Sequence, residues 1–211
     1  MRNVTINREK GIIYMAKVVS MIFTPLYLPL VGLIILFLFS YMNLLPLEYR
    51  LMVLTLVYFF TILLPMFLIY LYRRMQGWNR LEISHKHRRL VPYIISIVCY
   101  FTCLYVLESL HIYHFVSSIV IGALVVQVTC AIINIWWKIS THTAAIGGVA
   151  GALFVFADIF GFNPTWWFCL VFIVAGILGS ARMILRQHSL SQVIGGFGVG
   201  LVCASLGIIF L

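Results

Sequence analysis

An all-α, multi-pass transmembrane helical bundle is the fold class this sequence predicts, and three observations predict it. Hydrophobic residues make up 64% of the 211 residues against 9% charged, with a mean hydropathy of +1.11. A soluble domain of this size keeps too much surface in water to hide that apolar content. The apolar residues fall in runs long enough to cross a bilayer, which takes about 20 residues for a hydrocarbon core of roughly 30 Å. Short polar clusters separate the runs. About seven helices are expected, six or eight if a segment is re-entrant, in a single domain over residues 1–211 with no soluble module.

The first expected span runs from Val18 to Tyr41 and carries Pro25 and Pro29. Membrane helices tolerate proline when neighbours satisfy the freed carbonyls, so a bend is expected there. Asn43 to Glu48 turns the chain, and a second span follows from Leu51 to Tyr72 with Pro65 inside it. The long polar connection Arg73 to Arg89 leads to a third span, Val91 to Leu107. A fourth runs from Phe115 to Ile135, a fifth from Thr143 to Phe160, a sixth from Thr165 to Leu185 and a seventh from Leu190 to Leu211. The five cysteines all lie inside apolar runs without zinc-like spacing and read as small core hydrophobes.

Three polar clusters follow the second, fourth and sixth spans, so one hairpin separates each from the next and all three share a membrane face. They are Lys86-His87-Arg88-Arg89-Leu90-Val91-Pro92, Trp137-Lys138-Ile139-Ser140-Thr141-His142 and Ser180 to Gln192. The net charge of +9 is concentrated in them and in the N-terminal segment. In a membrane protein that pattern selects anionic lipid headgroups as partners and not nucleic acid. By the positive-inside rule the cluster-bearing face is cytoplasmic. Charges held in place for chemistry weaken that inference.

The residue types fit phosphate chemistry. A phosphoryl site needs fixed positive charge on the equatorial oxygens, a nucleophile in line, and an acid for the leaving oxygen. Lys86, Arg89 and Arg182 can supply the charge, and the arginines suit bidentate contacts. Backbone N–H groups beside Ser140 and Thr141 can also hold an anion at a helix start. His188 and His142 titrate near neutral pH and can serve as nucleophile and acid. His188 and Gln192 lie four apart, on one helical face. Arg182 and His188 lie six apart and can converge only if the chain breaks near Leu185 to Gln187. Ser189-Leu-Ser-Gln192 also fits a capping box opening the last helix. Gly147, Gly148, Gly151, Gly195, Gly196 and Gly200 read as close-packing surfaces that bring the fifth and seventh spans together.

In that order, the clusters resemble the three motifs of the type 2 phosphatidic acid phosphatase superfamily, integral-membrane lipid phosphatases. The third motif of that family, S-R-x5-H-x3-D, is similar to Ser180-Ala181-Arg182, His188 and Gln192, with one residue inserted after the serine. The second, P-S-G-H, is similar to Ile139-Ser140-Thr141-His142. The first, K-x6-R-P, shares residue types with Lys86, Arg89 and Pro92 at different spacing. The resemblance covers about residues 80–200.

It implies a lipid phosphatase that acts on a monoester or diphosphate headgroup through a phosphohistidine. His188 would be the nucleophile, His142 the acid and Gln192 the residue orienting His188. Lys86, Arg89, Arg182, Ser140 and Thr141 would bind the phosphoryl oxygens. No metal or other cofactor is implied, and the partner is a lipid phosphate within the bilayer. A bacterial inner membrane is the expected location; many bacterial members of the family face the periplasm, which favours that side for the site slightly, against the charge rule. Gln192 stands where the family has an aspartate and Thr141 where it has a glycine. Those departures leave open a non-catalytic protein that binds or moves an anionic lipid.

Overall fold

A chain surrounded by hydrocarbon must satisfy its own backbone N–H and C=O groups, and runs of leucine, isoleucine, valine and phenylalanine do so as helices. The structure, a computed structural model, describes residues 2–39, 41–75 and 86–210, with the side chains of 2–9, 28, 39, 41 and 86–89 left outside that description. The described residues form α1 (Arg2–Ile22), α2 (Leu28–Phe39), α3 (Leu47–Tyr58), α4 (Leu64–Met75), α5 (Lys86–Ser109), α6 (His114–Trp136), α7 (Thr141–Phe160), α8 (Thr165–Ile184) and α9 (Leu190–Ile209). The chain is an all-α, multi-pass bundle.

Six helices among the described residues are long and apolar enough to cross a membrane: Leu47–Met75, Leu90–Ser109, His114–Trp136, Thr141–Phe160, Thr165–Ile184 and Leu190–Ile209. The first expected span differs. Instead of one bent helix there are two, α1 and α2, with residues 23–27 non-helical between them. Proline disfavours helical dihedrals in the residue before it, which stops α1 ahead of Pro25, and Pro29 fits the first turn of α2, where its missing N–H costs nothing. The apolar part of α2, Pro29–Leu38, is shorter than a span.

Pro65 has the milder effect. A π-helical turn, Phe59–Leu63, joins α3 to α4 and leaves one continuous 29-residue helix. A wide turn just ahead of a proline accommodates the ring and the lost hydrogen bond. The first polar cluster also differs from expectation, because Lys86 opens α5 and the cluster is helical.

Side-to-side packing is tightest between α7 and α9, and glycines cause it. A Cβ on Gly147 would collide with the Phe197 carbonyl, and one on Gly200 with the Ala144 carbonyl. Gly151 and Gly196 face the Leu201 and Ser140 carbonyls in the same way. Small residues let two membrane helices meet backbone to backbone, where dispersion replaces the absent hydrophobic drive. Among the described residues a cluster of Val126, Cys130, Ile139, Ala144 and Ala204 extends this contact to α6, and two further apolar centres lie elsewhere. One joins α2, α3, α5 and α6 around Leu33, Val57, Tyr100, Leu107 and Val116. The other joins α7 and α8 around Ile146, Ala150, Val171 and Leu178, with Val19 and Phe23 of the N-terminal segment packed on it.

The alternation of spans from α3 onward puts the connections 137–140 and 185–189 at one end of the bundle. The turns at 110–113 and 161–164 lie at the other. Glu48, Glu108 and Asp158 sit at that opposite end. The clustered end is therefore rich in cations, and Glu9 and Glu82 fall on side chains outside the described residues.

Candidate active site

The third cluster is shaped by a helix stop. After Ile184 the chain makes a Schellman turn, in which Gln187 N–H donates to the Arg182 carbonyl at 3.1 Å and Arg186 N–H to the Met183 carbonyl at 2.8 Å. Arg186 takes the left-handed conformation (φ 52°) at the position where glycine is usual. This is the break needed to let Arg182, on α8, and His188, ahead of α9, approach each other. They lie within electrostatic reach.

Gln192 holds two groups with one oxygen. Its Oε1 accepts from the Ser189 N–H at 3.2 Å, in the capping-box arrangement that opens α9. It also lies 3.2 Å from His188 Nδ1. Capping and histidine orientation thus coexist in one side chain. With Nδ1–H donated to that oxygen, the free lone pair of a neutral ring belongs to Nε2. Burial first, then the Arg182 and Lys138 cations, push His188 down to about 4, against the opposing pull of Gln192 and of the Lys138 main chain.

The second cluster enters through the start of α7. Ser140 is fully buried and caps the helix: its Oγ accepts from Thr143 N–H at 3.4 Å, and its carbonyl accepts from Thr143 Oγ1 at 3.0 Å. Ser140 N–H donates to the Gln192 carbonyl at 3.3 Å, tying the second cluster to the third. Thr141 is the first residue of α7, half-buried. His142 follows it, within electrostatic reach of both Arg182 and His188. Its Nδ1 is buried without a hydrogen-bond partner among the described residues, as is Arg182 Nε. Buried polar atoms are nearly always paired, so two unpaired atoms converging at one place mark space for a polar ligand.

Sequence reasoning missed Ser20. Arg182 Nη1 donates to Ser20 Oγ at 2.7 Å across a separation of 162 residues, and the Ser20 main chain lies against the His142 ring. Nothing in the local sequence marks this serine, which is two residues from the end of α1. Lys138, in the second cluster, reaches His188 with both its main chain and its charge. The first cluster is less defined. Lys86 and Arg89 have side chains outside the described residues, but Tyr93, one turn along α5, is within electrostatic reach of Arg182.

Fold and site together define a polytopic helical membrane protein with a cationic, histidine-bearing site at one end of its bundle. A family model described as the PAP2 superfamily matches residues 134–211, and over that segment the chain is similar to the PAP2 superfamily. The match contains His142, Arg182, His188 and Gln192 and begins after Lys86 and Arg89, so it covers less at the N-terminal side than the motifs imply. No curated protein and no solved structure matches the chain. Members of the superfamily are generally phosphatases, and phosphatase-type activity is what the family suggests for this chain.

Proposed function

We propose that the protein is a membrane lipid phosphatase that hydrolyses a phosphate monoester or diphosphate headgroup through a phosphohistidine. The observation that supports it most is the hydrogen bond between His188 Nδ1 and Gln192 Oε1 beside Arg182. Burial and the neighbouring cations keep His188 neutral at physiological pH, and the bond to Gln192 leaves Nε2 as the nucleophilic atom.

In the first step His188 Nε2 attacks phosphorus, the P–N bond forms and the P–O bond to the lipid breaks. His142 delivers the proton that the leaving oxygen takes up. In the second step water attacks the phosphohistidine, His142 takes its proton, and the P–N bond breaks to release inorganic phosphate. Arg182 neutralises the equatorial oxygens, with Lys86, Arg89, Ser140 and Thr141 as further anion-binding groups. Gln192 fixes the tautomer, but as a neutral amide it cannot offset the imidazolium charge of the intermediate as a carboxylate would.

Phosphate release from lipid mono- and diphosphates by purified protein tests this. His188→Ala is expected to abolish release, and His142→Ala and Arg182→Ala to lower it by about 10²–10⁴-fold, the usual weight of a proton-transfer or charge-stabilising group. Near-normal release by His188→Ala protein would refute the mechanism. Tight lipid-phosphate binding without turnover over a broad panel would instead favour a binding or transport role.

A further inference from the structure

An open groove of about 850 Å³ runs between α1 and α8. Its walls are apolar: Ile12, Met15 and Val19 on α1, and Ile173, Ile177 and Ala181 on α8. Ligand clefts commonly occupy about 300–1,000 Å³, so the space is of binding-site size. Gly11 and Gly176 line it beside open space, because a Cβ at either position would meet nothing within 4 Å. Helix α8 is a candidate membrane span, so this side of it lies at bilayer depth.

The groove ends beside the cation. Val19 and Ala181 on its walls are the chain neighbours of Ser20 and Arg182, whose 2.7 Å bond ties the two helices together. An apolar trough at bilayer depth, closing on an arginine with an unpaired buried Nε, matches an amphiphile with an anionic head. The carboxylates of Glu48, Glu108 and Asp158 stand at the far end of the bundle and do not compete for that arginine.

We propose that this groove seats a hydrocarbon chain of the lipid whose phosphate lies at Arg182. The inference rests on the phosphatase reading and extends it to the means of substrate recognition. Helix α1 lies outside residues 134–211, the family match, and supplies one wall. A smaller cleft of about 410 Å³ on the other flank of α8 also reaches Gly176, so this glycine is where a filling side chain would obstruct most.

The test compares turnover of dioleoyl phosphatidic acid in mixed micelles with that of p-nitrophenyl phosphate. Gly11→Leu and Gly176→Leu fill the groove, and Gly198→Leu, which also meets open space but outside it, is the control. The preference for the long-chain substrate is expected to fall about tenfold or more in the two groove variants and to persist in the control. In parallel, phosphatidic acid carrying a diazirine in one acyl chain is expected to label α1 and α8 of the wild-type protein. An unchanged preference in both groove variants, or label confined to other helices, overturns the proposal. So does a detergent-stable dimer that Gly176→Leu dissolves, since a second copy would then cover the groove. Wild-type protein that hydrolyses neither substrate defeats the phosphatase reading, and the labelling pattern then decides the groove alone. It also decides if the groove variants fail to fold.

Discussion

His188 is held below the ordinary histidine range, at about 4, chiefly by burial and then by Arg182 and Lys138. A nucleophile must be neutral, and kcat/KM reports the free enzyme's titration, so its acidic limb is expected near pH 4 and not near the ~6.5 of free imidazole. Gln192→Asp places a carboxylate on Nδ1, favours the imidazolium and moves that limb to higher pH without abolishing turnover. A pH–rate profile of both proteins checks the position and the direction. A wild-type limb near 6.5 would contradict the assignment.

Ser20 belongs to the same scale. Hydrogen bonds to charged groups contribute about 1.5–3 kcal/mol, so Ser20→Ala is expected to lower kcat/KM by roughly tenfold or more. Ser20→Thr, which keeps the hydroxyl, should restore most of it, and steady-state kinetics of the pair decide. His142, Arg182, His188 and Gln192 were legible in the sequence because each sits in a short polar cluster between apolar runs. Ser20 was not, because its partner is 162 residues away and a serine near a helix end has many ordinary uses.

Among elements, the α7–α9 pair positions the site. Residues 140 and 192 share a backbone hydrogen bond only because the two helices meet at glycine. Gly200→Ala puts a methyl group into the Ala144 carbonyl, a backbone atom that cannot swing aside. Overpacking of this kind costs about 1–3 kcal/mol, so the thermal midpoint in detergent should fall, with activity falling alongside it. An unchanged midpoint would show that the helices can separate freely.

The glycine periodicity announced this contact. The break between α1 and α2 was less legible. Two prolines in an apolar stretch fit either a bend or a break, and the choice depends on which neighbours satisfy the freed carbonyls. Likewise Pro65 is absorbed in a π-helical turn, which no residue pattern in that stretch announces.

At the scale of the whole molecule, sidedness is the testable quantity. Six spans from α3 onward place residues 137–140 and 185–189 on one face and 110–113 and 161–164 on the other. Membrane-impermeant labelling of single cysteines introduced into these connections, in sealed vesicles of known orientation, should give two matching pairs of opposite accessibility. Label reaching all four from one side would contradict the alternation. The same experiment says whether the cationic face is cytoplasmic, as the charge distribution argues, or lies on the other side of the membrane.

Composition and patterning alone determined that this chain spans a membrane as helices, which of its polar clusters share a face, and which histidines and arginines lie in those clusters. Those features are local: hydropathy, helix period and residue type act over one or two turns. The tertiary structure decided that the N-terminal stretch makes two helices, that Gln192 caps α9 and holds His188 with a single oxygen, and that α1 completes the site through Ser20. Each of these depends on which distant backbone comes within hydrogen-bond reach. That is set by which segments far apart in the chain pack together, and local residue patterns do not encode it.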